Sequence, residues 1–406
     1  MTESPGKHRI CFVTTARSEY FQMRPVIRAF MNEVDFDVAV CAGGAHLSRD
    51  HGYSIAAIER DGVPIAARLE TLASGDTLLD AAHSAATTVS AFADALVEVH
   101  PDLVFIFGDR YEHLAIALAA RSLGLAIAHV HGGEVTEGAR DERFRHAISK
   151  LSDLHFVTTA VYAARLEQMG EESARICLSG APFVDLVCEV SPKPVSFIES
   201  SLGIAVRRPL ALVAYHPATG SDEDARATIQ DILHATLARC KSVVISGPNH
   251  DPGFGDIEAA ALAVQKERSG EVVYRNYFGD ELFQSLMCHT DVMIGKSSAG
   301  LHEALYRRAP VVDVGARQAG RLAAANVVHC DADVEAIAAA IDTVLHPSFR
   351  AAIPAEPIAF GQSPVSHRIV TGVRERWSLL SGHAEKRFRD LDGVRQAGQS
   401  WRQAYA

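Results

Sequence analysis

A chain of 406 residues and 43.7 kDa, 48% hydrophobic and 22% charged, has ample apolar surface to offset the conformational entropy of folding. Bulk disorder and the disulfide- or metal-stapled miniprotein classes are therefore excluded, and the length fits two domains or one large one. With 39 Lys and Arg against 50 Asp and Glu, the net charge is −11 and no basic block stands out, so duplex nucleic acid is repelled, whereas a phosphorylated small molecule needs only a few backbone N–H groups and one or two arginines.

The first residues, MTESPGKHRI, lack the apolar stretch of an export signal, so a cytoplasmic location is expected. From residue 9 onward, short β-branched runs alternate with Ala/Leu-rich segments of helical period. The predicted strands of the first half are ICFVTT (10–15), FDVAVCA (36–42), LVFIFG (103–108), AIAHV (126–130) and HFVTT (155–159), with helices near 22–31, 77–99, 112–122, 142–151 and 160–169. Several runs are continuously apolar, as in strands covered on both faces. The best membrane candidate, LAIALAARSLGLAIAHV (114–130), is split by Arg121, Ser122 and Gly124 into a helix and a buried strand, each too short to span a bilayer.

The proline-bearing segment SPKPVSF (191–197) marks a seam, after which the alternation restarts with PLALVAY (209–215), SVVISG (242–247), VVYRN (272–276), DVMIG (291–295) and PVVDVG (310–315). The predicted fold is α/β, with two tandem Rossmann-like doubly wound domains facing across a cleft: residues 1–190, residues 191–376, and a C-terminal helix or tail over 377–406. Seven cysteines stand singly, without a CxxC pair or zinc-ligand spacing, and read as small buried hydrophobes in a reducing compartment. In such a fold ligands bind beyond the carboxyl ends of the strands, so residues just after strands are the candidates.

In DVMIGKSSAGLHEAL (291–305) an apolar strand ends in Gly295, passes Ser297 and Ser298 and enters a predicted helix. Free N–H groups at a helix start, with the serine hydroxyls, suit a diphosphate, and Glu303 is placed to accept from ribose hydroxyls. An ordinary Ser N-cap is the plain alternative, and the Walker A spacing is absent. FGDRYEHLAIALAA (107–120) ends a buried strand in Gly108, Asp109 and Arg110. The next strand runs into AIAHVHGGEVTEGARDERFRHAISK (126–150), where His129 and His131 share one face if the strand continues, Gly132 and Gly133 permit a tight departure, and Glu134 follows.

Asp141 with Arg145, and Glu142 with His146, have the spacing of helix-surface salt bridges. Taken together, Asp109, His131, Glu134 and Asp141 crowd titratable groups at consecutive strand ends, which is how one acid and one base are kept available near neutral pH. Two histidines plus carboxylates without a third spaced ligand do not make a zinc site, and no metal is expected. In the second half, AYHPATG (214–220) puts His216 after a strand, where it can donate to a phosphate oxygen or stand as a loop histidine; SGPNHDPG (246–253) follows another. VGARQAGR (314–321) offers Arg317 and Arg321, and TTARSEY (14–20) offers Arg17, as cationic rims.

Considered in order, TTARSEY, GDRYEHLA, HVHGGEVTEGARDERFRHAISKLSDLHF, YHPATG, GPNHDPG, GKSSAGLHEA and GARQAGR resemble the hydrolysing UDP-N-acetylglucosamine 2-epimerases, including the branch acting on 2,4-diacetamido-2,4,6-trideoxy sugar nucleotides. The resemblance runs from about residue 9 to about 335. It implies a glycosyltransferase-B type fold, removal of the sugar's C2 proton, elimination of UDP to a glycal, and hydration to the free manno sugar for nonulosonic acid synthesis. By position it implies that Asp109, Glu134, Asp141 and His216 are catalytic. It also implies that Arg17, Arg110, Asn249, Ser297, Ser298, Glu303 and Arg317 contact the nucleotide, and that Phe278 meets the uracil through its backbone. The expected partners are a UDP-sugar substrate, UDP as product and further copies of the chain in a dimer or tetramer; neither nucleic acid, membrane nor cofactor is expected.

Three positions depart from the family pattern. His131 stands where some relatives carry a carboxylate, Lys296 replaces the Asn of GNSS, and Phe21 occupies a position usually small or polar. The rival readings are a non-hydrolysing 2-epimerase, a glycosyltransferase of the same architecture, and a catalytically dead nucleotide-sugar sensor.

Overall fold

Continuously apolar β-branched runs are stable only where helices cover both faces of a sheet, and the chain builds two such sheets. The computed structural model describes residues 7–49, 52–75, 77–137, 139–216, 224–248, 254–316, 318–380 and 386–391. Among these residues, the first sheet comprises β1 (His8–Thr14), β2 (Phe36–Gly43), β3 (Ile65–Leu69), β4 (Leu103–Phe107), β5 (Ala126–Val130), β6 (Leu154–Val157) and β7 (Ile176–Leu178). The second comprises β8 (Leu210–Ala214), β9 (Ser242–Ser246), β10 (Val272–Arg275), β11 (Val292–Gly295), β12 (Val311–Val314) and β13 (Val327–Cys330).

All pairings are parallel, in the orders β3-β2-β1-β4-β5-β6-β7 and β10-β9-β8-β11-β12-β13. Both orders reverse direction once, between β1 and β4 and between β8 and β11, and doubly wound sheets bind ligands at such a reversal. Helices Leu78–Val99 and Tyr111–Ser122 cover one face of the first sheet. On the other face Phe12 stacks on Phe105 at 4.9 Å with Phe30 at 5.4 Å from Phe105, each buried Phe contributing about 1.5–3 kcal/mol.

The interior strands lie where the apolar runs predict them. Three edge or near-edge strands, β3, β7 and β13, were not expected: they are three to five residues long and partly exposed, so their apolar signal is weak. Among the described residues no helix is long and apolar enough to cross a membrane. The segment 114–130 divides as expected, into helix Tyr111–Ser122 and β5. Cys11, Cys41 and Cys240 are buried, but Cys188 on helix Phe183–Glu189 is exposed, contrary to the reading of all seven as core residues.

The compact units differ from the expected boundaries. The first consists of Met1–Glu134, Arg143–Asp185 and Gly361–Ala406, and the second of Val135–Glu142 and Leu186–Phe360. The expected seam at 191 therefore gives way to a passage at Leu186, within helix Phe183–Glu189, and to a return at Gly361. Helix Val365–Arg376, expected in the second domain, buries Val365, Ile369, Val370 and Val373 within the first unit against helix Arg17–Met31. Both of its ends are held there: the buried Asp185 carboxylate accepts from the N–H groups of Val365 (2.8 Å) and Ser366 (2.7 Å), and Arg374 pairs with Asp35 at 2.9 Å. An apolar stripe is placed by whatever surface covers it, and chain order does not reveal that surface. Within the expected tail, Trp377–Leu379 is a single turn, and residues 386–391 carry no regular structure.

Candidate active site

In the first unit the strand ends β1, β4 and β5 bring Arg17, Asp109, Arg110, His131 and Glu134 to one edge of the sheet. Gly108 adopts φ +84 just after β4, a conformation glycine takes without strain, and turns the chain so that Asp109 and Arg110 precede helix Tyr111–Ser122. Arg110 pairs with Glu112 at 3.0 Å and lies 3.6 Å from Glu19.

Glu19 was not singled out in the sequence. Its buried carboxylate accepts from Thr15 N–H at 2.9 Å, Ala16 N–H at 3.1 Å and the His113 ring at 3.0 Å, so it ties together the exits of β1 and β4. Burial alone would raise its pKa; His113, Arg110 and the Thr15 N–H outweigh that and hold it down to about 2. The signal that could have found it is its place three residues after Ala16, the third position of helix Arg17–Met31, where a carboxylate reaches back to the free N–H groups.

His131 and Glu134 form the second cluster. β5 stops at Val130, and His131 turns to φ +70, so the extended geometry that would put it on the same face as His129 does not hold. The two histidines separate in role. His129 is fully buried, bonded to the Gly108 carbonyl (2.8 Å) and Ser149 (3.1 Å), and burial pushes its pKa down to about 3. His131 places Nδ1 2.8 Å from Glu134 Oε1, which also accepts from the Thr158 hydroxyl at 3.2 Å. A carboxylate only accepts, so in the neutral ring Nδ1 carries the proton and Nε2 keeps its lone pair. That Nε2 is buried with no hydrogen-bond partner among the described residues. A left-handed non-glycine residue costs about 1–3 kcal/mol and concentrates at functional sites.

Gly133 makes this turn sterically feasible, since at its φ of +76 a Cβ would sit 2.4 Å from the Tyr162 carbonyl oxygen. Arg145 connects the two clusters. Expected on a helix surface opposite Asp141, it is instead 1% exposed, ion-paired with Asp109, and donates to the Glu134 carbonyl at 3.2 Å. Asp141 begins helix Asp141–Leu151 and falls in the segment grouped with the second unit.

In the second unit β11 ends in Gly295, followed by the buried Lys296, whose ammonium lies 4.6 Å over the Tyr215 ring. Its carbonyl accepts from the Gln318 amide at 2.8 Å, fixing the loop after β12 beside that after β11. Ser297 caps a helical turn through Ala299 N–H, but the predicted helix is broken: Ser298–Leu301 and Glu303–Tyr306 are separate turns, divided at His302. His302 packs its ring against Phe360 at 5.0 Å, a tertiary contact that the helical period does not foretell. A four-residue turn sums little dipole, so any anion held here relies on local N–H groups, the two hydroxyls and Lys296.

Glu303 accepts from Gln284 Nε2 at 2.6 Å, and Gln284 Oε1 accepts from Arg307 at 2.7 Å, which fixes the orientation of the amide. Burial raises the Glu303 pKa to about 7, against the opposing pull of Gln284. Phe278 stands half-buried at the start of helix Gly279–His289, and His216 is half-buried two residues beyond β8. Asn249 and Arg317 lie outside the described residues. Among the described residues, no group of three or more His, Cys, Asp and Glu side chains is arranged to hold a metal ion.

The family model described as UDP-N-acetylglucosamine 2-epimerase matches residues 28–374. The chain belongs to the UDP-N-acetylglucosamine 2-epimerase family. This family member is 31% identical over 325 residues to the GDP/UDP-N,N'-diacetylbacillosamine 2-epimerase (hydrolyzing) of Campylobacter jejuni, covering 80% of this chain and 84% of that protein. It is 31% identical over 334 residues to the UDP-N,N'-diacetylbacillosamine 2-epimerase (hydrolyzing) of Legionella pneumophila, covering 81% and 86%. The UDP-N-acetylglucosamine 2-epimerase of Neisseria meningitidis, solved with UDP-GlcNAc, superposes with a TM-score of 0.78 at 18% identity over 90% of this chain and 100% of that one, a likeness of fold. The fold class is thus two parallel-sheet α/β domains of the glycosyltransferase-B type.

Proposed function

We propose that this UDP-sugar epimerase is hydrolysing, and that it converts a UDP-2,4-diacetamido-2,4,6-trideoxy sugar to UDP and the free manno sugar used in nonulosonic acid synthesis. The observation that carries the reading is the His131–Glu134 pair, with His131 Nε2 buried, oriented and without a hydrogen-bond partner among the described residues. His131 Nε2 takes the C2 proton as the C1–O bond to UDP breaks, leaving a C1=C2 glycal. Water then adds its hydroxyl to C1 and gives up its remaining proton to a carboxylate of this cluster, while an acid from among Asp109, Asp141 and His216 delivers a proton to the opposite face of C2. A proton acceptor and leaving-group stabilisation are both needed, because C2–H is weakly acidic.

Ser297, Ser298 and Lys296 supply the donors for the diphosphate, with Arg17, Arg110, Asn249 and Arg317 as further nucleotide contacts and Phe278 at the uracil. The preference for the diacetamido sugar over UDP-N-acetylglucosamine is supported by 31% identity to the two diacetylbacillosamine enzymes against 27% to the Neisseria UDP-N-acetylglucosamine 2-epimerase.

Turnover in deuterated water followed by NMR tests the reaction. Free manno sugar carrying deuterium at C2, together with UDP, is the expected product pair. A manno sugar still joined to UDP would establish the non-hydrolysing reaction instead, and recovery of both candidate substrates unchanged would defeat the proposal.

The assignment of Glu303 to the ribose predicts a pH dependence. Below about pH 7 its carboxyl is protonated and accepts poorly; above it the carboxylate accepts from ribose hydroxyls. UDP affinity should therefore rise with pH up to about 7, by up to about tenfold per unit, and level off above it. The terminal phosphate of UDP titrates nearby, so calorimetric titrations from pH 6 to 8 are compared with Glu303→Gln, in which the Glu303 contribution disappears. Equal pH slopes in the two proteins would remove Glu303 from the nucleotide site.

A further inference from the structure

The segment Lys386–Leu391 lies beyond residue 374, where the family match ends, yet it is tied to the helix that carries Arg145. A helix leaves its last carbonyls without internal partners, and a cation there satisfies them and opposes the negative end of the dipole. Lys386 Nζ does this for helix Asp141–Leu151, approaching the carbonyl oxygens of Ser152 at 2.6 Å, Lys150 at 2.9 Å and Ser149 at 3.4 Å.

The same ammonium pairs at 2.7 Å with Glu171, a fully buried carboxylate that also holds Lys150 at 2.6 Å and His155 at 2.9 Å. His155 is in register with His129 on the neighbouring strand, so this cluster backs directly onto β5. The segment is fastened on its other side as well. Arg389 N–H donates to the Gly170 carbonyl at 2.9 Å, and the Phe388 ring lies 4.7 Å from the Lys150 ammonium and so close over Gly170 that a Cβ there would come within 2.5 Å of it.

We propose that Lys386–Leu391 is a strap that immobilises the C-terminal end of helix Asp141–Leu151, making Lys386 a positioning residue for the Asp109–Arg145 pair. Arg145 sits less than two turns from the carbonyls that Lys386 holds, and it bonds both Asp109 and the Glu134 carbonyl. Slack at the helix end is thereby passed to the acid–base groups. The catalytic part of this inference rests on the reaction proposed above; the mechanical part does not.

The test compares full-length wild type, Lys386→Met and Lys386→Arg by hydrogen exchange and by kinetics on the UDP-sugar that wild type turns over. Lys386→Met should exchange amides 144–152 about tenfold faster or more. Its kcat should fall by about 10- to 100-fold with KM within about twofold, because misplacement affects the chemical step rather than nucleotide binding. Lys386→Arg, which keeps the cation, should restore both. Unchanged exchange in Lys386→Met overturns the strap, and faster exchange with unchanged kcat overturns the positioning role. A wild type inactive on every UDP-sugar defeats the reaction proposed above and with it the positioning role, while the exchange comparison still decides the strap.

Discussion

Glu134→Gln should lower kcat by about 10²- to 10⁴-fold while leaving KM for the UDP-sugar within a few-fold of wild type. The carboxylate accepts from His131 Nδ1 at 2.8 Å and from Thr158 at 3.2 Å, and its acceptance at Nδ1 is what keeps Nε2 free to take a proton. An amide that turns its NH2 toward Nδ1 imposes the opposite ring tautomer, and in either orientation it lacks the charge that would stabilise an imidazolium. Size and burial are conserved, so the fold should melt as wild type does. UDP release measured in stopped assays, with melting as the control, checks this. A variant with more than a tenth of wild-type turnover would show that the His131–Glu134 pair is not the proton acceptor.

Gly295→Ala should unfold or badly distort the second unit. At φ +138 a Cβ would lie 2.2 Å from the Ala214 carbonyl oxygen on the neighbouring strand and 3.1 Å from the Tyr215 nitrogen. Backbone cannot yield as a side chain can, so β8 and β11 must part exactly where Lys296, Ser297 and Ser298 leave the sheet. A loss of about 3 kcal/mol or more is expected, with UDP binding abolished. Gly203→Ala is the informative comparison: its φ of +74 is equally left-handed, but nothing lies within 4 Å, so only the local penalty of about 1–2 kcal/mol applies. Thermal melting and UDP titration of both variants distinguish the two effects. Equal melting temperatures would mean that close approach at Gly295 is not what constrains the site.

These two positions also mark how far local reading reaches. The motif around Glu134 is legible because a strand, two glycines and a carboxylate are contiguous, and the demand for glycine at 295 follows from a strand that must turn sharply into a loop. Arg145 was read as lying on a helix surface but is buried against Asp109, because spacing along a helix says which residues share a face but not what that face meets. Glu19 passed unnoticed for a related reason: its partners His113 and Arg110 arrive from a strand exit far along the chain. The helix expected after Ser298 breaks at His302, whose ring meets Phe360, a residue far along the chain that the helical period does not reveal.

The sequence by itself determined the two sheets, the order of their interior strands along the chain and the strand-end segments that carry polar chemistry, because hydrophobic periodicity and glycine placement act over a few residues. Only the tertiary structure decided that Arg145 points inward to Asp109, that His131 leaves the strand to meet Glu134, and that the chain after residue 360 returns to the first unit. Those outcomes depend on which buried charge finds a partner and which apolar stripe finds cover. Both are settled by groups distant in sequence.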